Sequence, residues 1–68
     1  MTSQTIALAV AYGRAHSAAE LAAAASLAAS STPSWREADS IHAAAIESRE
    51  NAWRAFLASC DADRAVTP

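Results

Sequence analysis

A single interior break divides this chain into two long segments. The break is the run Ser-Ser-Thr-Pro-Ser at residues 30–34, and outside it the sequence has one glycine and one further proline. Roughly a third of all residues are alanine, the strongest helix former. For a chain of 68 residues, this pattern predicts an all-α fold in one domain, with two helices joined by a linker short enough for an antiparallel hairpin.

Two overlapping capping patterns indicate where the second helix begins. Thr32 followed by Pro33 fits an N-cap with proline at the first helical position. Ser34 with Glu37 three residues later fits a capping box. The helix starts that the two patterns predict lie within two residues of each other. The predicted bounds are about 5–29 for helix 1, 30–34 for the turn, about 33–61 for helix 2 and 62–68 for a frayed tail.

The first segment could also be a strand, because Ile6, Leu8, Val10 and Tyr12 alternate with alanine. Alanine favours helices over strands, and the segment continues directly into the alanine-rich run 18–25, so a helix is predicted. With Leu8 and Tyr12 on the other side of that helix, its N-terminal third is apolar nearly all round and needs cover from more than one direction. The predicted apolar stripe is Ile6, Val10, Gly13, Ser17, Leu21, Ala24 and Leu27/Ala28.

The second segment carries a heptad-like apolar stripe that alternates steps of four and three residues. Its members are Trp35, Asp39, His42, Ile46, Arg49, Trp53, Phe56 and Cys60, widened by Ala38, Ala45, Ala52 and Leu57. The residues predicted for the core or the dimer interface are Ile6, Val10, Leu21, Leu27, Ile46, Trp53, Phe56 and Leu57.

A hairpin of two helices has a seam but no enclosed core, and the usual supports for a domain this small are missing. The lone Cys60 cannot form an internal disulfide, and no cysteine–histidine cluster has the spacing of a structural zinc site. A second chain is the remaining support. We therefore expect a homodimer that forms a four-helix bundle, with its orientation left open.

Catalysis, metal binding and cofactor binding are not expected. In an antiparallel hairpin His16 and His42 stand roughly 8 Å apart along the axis, too far to share one ion. Cys60 and His42 are roughly 27 Å apart along one helix, so they form no catalytic dyad. The sequence also has no glycine-rich loop that would hold a phosphate group. These features favour a non-enzymatic protein.

The charge pattern argues against direct contact with nucleic acid. The formal net charge is −2, and the five cations, all arginine, form no basic run. The apolar residues 6–12 have no positive segment before them and are too short to span a membrane. A lone thiol fits a reducing compartment. These observations predict a cytoplasmic protein without membrane insertion.

Five side chains are candidates for contacts with a partner. Trp35 and Arg36 fall at the hairpin tip, and both residue types are enriched at binding hot spots; the alternative for Trp35 is that it caps the end of the bundle. Tyr12 lies off the main stripe of helix 1. His42 and Arg49 sit one heptad apart within the stripe of helix 2. They either lie at the edge of the core, with Arg49 paired to a carboxylate such as Glu20, or specify the dimer register or a partner.

The entry to the second helix, Ser34-Trp35-Arg36-Glu37-Ala38, resembles that of the small phage-encoded anti-quorum-sensing anti-activators. The resemblance covers these five residues and the layout of a tiny acidic hairpin, and the alanine-rich first helix departs from it. Those homodimeric helical proteins bind a LuxR-type transcriptional activator and block its access to DNA, and some also engage a pilus-assembly ATPase. The resemblance implies inhibition in the host cytoplasm by sequestering a regulator, through contacts near the tip and along helix 2.

Two functions are therefore expected. The first is a dimeric inhibitor, or anti-activator, that sequesters a transcriptional regulator. The alternative is a structural or adaptor subunit whose apolar first helix docks onto another chain of a larger assembly.

Overall fold

Two helices account for nearly all of residues 1–66, the part of the protein that the computed structural model describes. Helix α1 spans Ser3–Ala29 and helix α2 spans Trp35–Val66. Contacts between Thr5 and Ser59, between Tyr12 and Trp53, and between Ser26 and Asp39 show that the helices run antiparallel. The resulting rod measures 56 × 13 × 11 Å. The predicted all-helical hairpin is confirmed over these residues, which contain no strand.

Helix α1 begins two residues before the predicted start. Thr2 is its N-cap, with an extended ψ of 163°, and its hydroxyl accepts the backbone N–H of Thr5 at 3.2 Å. At the other end the N–H of Ser30 donates to the carbonyl of Leu27 at 3.3 Å, which closes the last turn after Ala29.

Helix α2 begins at Trp35, after a turn that holds Pro33. The backbone carbonyl of Ser34 accepts the N–H of Ala38 at 3.1 Å, so Ser34 occupies the N-cap position. The hydroxyl of Thr32 donates to the carbonyl of Ala29 at 2.8 Å and accepts the backbone N–H of Ser34 at 3.3 Å, so it closes the turn ahead of α2. Of the two predicted starts, the one at Pro33 is therefore wrong and the one directly after Ser34 is confirmed.

The predicted end of helix 2 is also wrong. Helix α2 continues from Asp61 to Val66, so residues 62–66 are helical rather than a frayed tail, and residues 67–68 lie outside the described part of the chain. The added turn matters because it brings Asp63 alongside the first turn of α1.

The seam of α1 lies on the side of the helix opposite to the predicted stripe. Ala19 and Ala22 are the buried apolar residues, exposed by 2% and 8%. Ile6 and Val10 remain about half exposed, so the seam of the hairpin does not bury them, and their place in a dimer interface stays a prediction. Small side chains let two helix axes approach closely, and the prediction weighed apolar size instead. The seam positions of α1 are Thr5, Leu8, Tyr12, Ala15, Ala19, Ala22, Ser26 and Ala29.

The seam of α2 keeps the predicted heptad spacing but shifts by one residue at every second position. Ala38, Ala45 and Ala52 are half-buried at these positions, whereas Trp53 is 43% exposed and Leu57 almost as much. Trp53 and Leu57 are therefore not core residues of the hairpin, whereas the predicted core residues Ile46 and Phe56 are half-buried. The seam positions of α2 are Ala38, His42, Ala45, Arg49, Ala52, Phe56, Ser59 and Asp63.

This packing hides little apolar surface. Burying one CH₂ group contributes only about 0.8 kcal/mol, and alanine offers a single methyl group. Leu21 and Leu27, the large residues of the second half of α1, are 74% and 78% exposed. The hairpin therefore leaves most of its large apolar side chains in contact with water.

Candidate interaction surfaces

A polar cluster joins the two helices at the open end of the hairpin. Thr5 is fully buried, and its hydroxyl donates to Asp63 Oδ2 at 2.7 Å. A hydroxyl has one proton, so Thr5 accepts from the Ser59 hydroxyl, whose oxygen lies 2.5 Å away. The backbone N–H of Thr2 donates to the same Asp63 oxygen at 3.1 Å. These four residues form the open-end cluster.

The charge on Asp63 is favoured by this arrangement. The hydrogen bond from the Thr5 hydroxyl, followed by that from the Thr2 backbone, lowers the pKa of the Asp63 carboxyl below its ordinary value. The carboxylate also stands at the N-terminus of α1, where the positive end of the helix dipole stabilises a negative charge. Asp63 thus acts as a cap supplied by the opposite helix.

Aromatic side chains line one side of the hairpin near its middle. The rings of Tyr12 and Trp53 meet across the seam, with centroids 5.1 Å apart and planes tilted by 52°. Trp53 also contacts Phe56 on its own helix at 5.7 Å, and Tyr12 stacks on His16 at 6.0 Å. These four residues form the aromatic face. Such ring pairs contribute about 0.5–1.5 kcal/mol each beyond area burial.

A shallow cavity of about 130 Å³ opens beside the aromatic face, lined by Tyr12, Arg49, Glu50 and Trp53. It presents two apolar ring surfaces, a guanidinium and a carboxylate side by side. It is therefore suited to receive a small side chain of another protein.

The structure separates the candidate partner residues into two groups. Tyr12 lies off the predicted stripe, on the opposite side of α1, but there it is a seam residue that contacts Trp53 within the hairpin. His42 and Arg49 are half-buried at seam positions of α2. Glu20, one predicted partner of Arg49, instead pairs with His16, whose Nε2 lies 3.0 Å from Glu20 Oε1.

Trp35 and Arg36 stand at the hairpin tip. The guanidinium carbon of Arg36 lies 5.2 Å from the centroid of the Trp35 ring, and both side chains are exposed. A cation held over an aromatic face presents a flat, partly apolar surface with a positive charge. Both side chains are thus exposed at the tip, and their contact with a partner stays a prediction.

The predicted stripe of α1 forms a separate surface on the outside of the hairpin. We name it the outer stripe. It is uncharged, and all its members are exposed. At about 100° per residue it lies roughly 180° from the seam. Its members are Ile6, Val10, Gly13, Ser17, Leu21, Ala24, Leu27 and Ala28.

Sequence reasoning missed the open-end cluster. Thr5, Ser59 and Asp63 are polar and belong to neither predicted stripe, because both stripes are built on large apolar residues. The signal that would have found Ser59 and Asp63 is the heptad spacing, which continues from Ala38 through Ala45 and Ala52 to these two positions.

Three further observations concern metal binding, the free thiol and membrane insertion. Within residues 1–66 no group of three or more histidine, cysteine or acidic side chains is placed to hold a metal ion. The half-buried thiol of Cys60 lines a cavity of about 290 Å³ at the open end together with Met1, Asp63 and Arg64. Neither helix, over its described residues, combines the length and apolar character that crossing a bilayer would require.

Comparison with known proteins identifies no relative. No protein-family model matches the sequence, no curated protein is significantly similar to it, and no solved structure matches the fold.

Proposed function

We propose that this protein is a non-enzymatic protein-binding module that works as a homodimer in the cytoplasm. The observation that carries the proposal is its exposed surface of 4924 Å². A folded monomeric protein of 7.0 kDa exposes about 4,000 Å². The difference, about 900 Å², is close to the roughly 800 Å² that each partner buries in an interface of standard size.

The character of the exposed residues supports the same proposal. Monomeric proteins rarely expose large contiguous apolar patches, and such patches mark interaction sites. Ile6, Val10, Leu21 and Leu27 project from one helix, while Ala19 and Ala22 alone supply the buried apolar residues of the described chain. In the proposed dimer, a second chain buries these apolar side chains, which α2 leaves exposed.

The proposal is tested by melting the pure protein over a hundredfold range of concentration. Folding linked to dimerisation makes the melting temperature rise with protein concentration. A melting temperature that stays constant over the whole range, with full helix content, would show that the hairpin needs no second chain.

In its narrower form, the proposal is that the dimer sequesters a transcriptional regulator. It rests on the resemblance of residues 34–38 to the anti-quorum-sensing anti-activators, which would make the regulator LuxR-type and the protein phage-encoded. Trp35 and Arg36 are exposed at the tip, as a contact with a partner requires. Glu37, Glu47 and Glu50 on the exposed side of α2 add negative charge that complements a basic, DNA-binding surface.

This narrower form is tested with a purified LuxR-type activator and its DNA site. The protein is expected to bind the activator and release it from DNA in a gel-shift titration. An activator that stays on DNA at saturating protein, with no complex detected by sedimentation, would contradict the anti-activator role. The homodimer would not be affected by that result.

A second candidate is an adaptor subunit of a larger assembly. The observation that favours it is the high exposure of Leu21 and Leu27, which lie toward the turn end of α1 and would suit an apolar groove on another chain. An adaptor of this kind is expected to be aggregated or poorly helical when pure. The dimer is expected to be soluble and to melt cooperatively, so circular dichroism of the pure protein separates the two functions.

A further inference from the structure

Gly13 is a glycine in the interior of a long helix, at a position of the outer stripe where the hairpin does not require one. Glycine in the interior of a helix lowers helix stability relative to alanine. Here it lies in the middle of α1, has no positive φ, and a Cβ atom placed on it would meet nothing within 4 Å. Neither backbone conformation nor packing within the hairpin therefore requires glycine at this position.

Close approach of another chain is a remaining reason for a helical glycine. Ser17 lies one turn further along the same face, so the middle of the outer stripe offers two small residues in succession. Larger residues stand on either side, Ile6 and Val10 before the small pair and Leu21 after it. Two helices that cross at small residues can bring their backbones close together while the larger side chains pack around the crossing point.

The order of large and small residues makes this face complementary to itself when two copies run antiparallel. If the twofold axis passes near residue 15, Gly13 of one copy faces Ser17 of the other. Ile6 then faces Ala24 of the second copy, so a large residue meets a small one, while Val10 packs beside Leu21. In a parallel pair each residue would face itself, which places the two glycines together and stacks large residues on large.

We propose that the outer stripe binds a second copy of this chain, with the two α1 helices antiparallel and crossing at Gly13 and Ser17. This inference rests on the proposed homodimer and assigns its surface and orientation. The stripe contains no charged residue, and Arg14 and Glu20, the two formally charged residues of α1, lie at its edges. No unpaired charge is therefore buried at the centre, and the antiparallel helix dipoles attract each other.

The area available fits this occupant. Over its whole surface the hairpin exposes about 900 Å² more than a compact monomer of its mass, close to the roughly 800 Å² that each partner buries in an interface of standard size. A second hairpin laid on the outer stripe places the two α1 helices against each other with one α2 on the far side of each, so the four helices form a layer in the order α2–α1–α1–α2. The aromatic face and the tip, carried by Trp53 and Trp35, remain outside this interface and stay open to a different partner.

Disulfide cross-linking tests the orientation. In a Cys60→Ser background, Gly13→Cys and Ser17→Cys variants are purified separately, mixed under reducing conditions, re-equilibrated and then oxidised. The antiparallel crossing predicts that the mixed 13–17 disulfide forms in preference to 13–13 and 17–17. In the antiparallel pair, like positions are offset by roughly 6 Å along the axis, which is unfavourable for a disulfide. Predominant 13–13 and 17–17 products would overturn the proposal.

Sedimentation of the same reduced samples separates this inference from the proposed function. A dimer that sediments as such but forms no disulfide at either position would mean that another face is used. That outcome overturns the outer-stripe interface and leaves the homodimer standing. A monomer under all conditions would overturn both.

A charged substitution gives an independent readout. Gly13→Glu introduces a good helix former that the free hairpin has room for, yet it places a charge at the centre of the proposed interface. The dimer dissociation constant is expected to rise on the order of 100-fold or more, with helix content retained. The matched control is Ala18→Glu, at an exposed position of α1 outside the stripe. This variant is expected to change the dimer dissociation constant by less than about threefold. Equal dimerisation of wild type and Gly13→Glu would overturn the proposal.

Discussion

The buried hydroxyl of Thr5 and the carboxylate of Asp63 lie 2.7 Å apart and hold the first turn of α1 against the last turns of α2. The two residues are separated by nearly the whole length of the chain. Their hydrogen bond, with those of Ser59 and Thr2, closes the end of the hairpin that has no covalent connection. Polar contacts therefore hold the two helices together at this end, and the turn at residues 30–34 joins them at the other.

Replacing Thr5 with valine tests the energetic weight of this cluster. Thr5→Val keeps the shape of the side chain but removes the hydroxyl that donates to Asp63 and accepts from Ser59. We expect a loss of about 1–3 kcal/mol in the free energy of unfolding, measured by urea denaturation, because the remaining polar groups lose their partner. Ser48→Ala, at an exposed position of α2, is the control and should stay near wild type. A Thr5→Val protein as stable as wild type would mean that the cluster contributes nothing.

Acid should weaken the open end of the hairpin. The hydrogen bonds from Thr5 and Thr2 lower the pKa of Asp63 in the folded protein below its ordinary value of 3.8. The unfolded chain therefore binds this proton first as the pH falls. The stabilisation by Asp63 is present above pH 3.8 and is lost as the pH falls below it through the folded-state pKa.

The comparison of wild type with Asp63→Asn isolates this effect. Urea denaturation between about pH 3 and 7 should show a stability difference that is constant at the upper end and narrows toward the lower end. A difference that does not change with pH would show that the Asp63 charge plays no part.

Trp53 should matter less than a buried tryptophan does. Its indole is 43% exposed and packs against Tyr12 and Phe56 on one side. We expect Trp53→Ala to cost about 1–2 kcal/mol, below the 3–5 kcal/mol that a fully buried aromatic residue loses. The cost should be the same at high and low protein concentration, because the aromatic face lies outside the proposed dimer interface. A loss above about 3 kcal/mol that grows with concentration would place the indole in that interface.

Removing the charge at the tip should affect binding and leave folding unchanged. Arg36 is exposed and contacts the Trp35 ring, so Arg36→Ala should change the free energy of unfolding by less than about 0.5 kcal/mol. Binding to a LuxR-type activator should weaken about tenfold or more, as calorimetry would measure, because arginine is frequent among hot-spot residues. The control is Arg54→Ala, which removes an exposed arginine of α2 that pairs with Glu50 at 3.8 Å. Equal affinities of the two variants would argue against the tip as a contact.

The helices and the turn follow from the sequence because they depend on local chemistry. Alanine content and the cluster at residues 30–34 are sufficient to predict two helices and a hairpin, and the heptad spacing of α2 survives in the structure with a shift of one residue. The side of α1 that faces α2 does not follow in the same way. Ile6 and Val10 are larger and more apolar than Ala19 and Ala22, yet it is the alanines that face α2.

The physical reason is that α1 has two apolar sides and α2 covers only one. Periodicity reveals both sides, but it does not show which is covered within the chain. Close approach of the axes favours the small residues, and polar pairs such as Thr5–Asp63 and Ser26–Asp39 fix the rotation of the helices. Contacts between residues so far apart in the sequence leave no local signal. The heptad spacing marks Asp63 as a seam position, but the partners that hold this last turn of α2 are in α1, so the end of α2 does not follow from local sequence.

Sedimentation equilibrium of the pure protein over a dilution series, with circular dichroism of each sample, tests the need for a second chain most directly. The expected result is a dimer at micromolar concentration and above, and a loss of cooperative helical structure as dilution separates the two copies. A protein that sediments at 7.0 kDa throughout the series and keeps its full helix content would contradict the proposal.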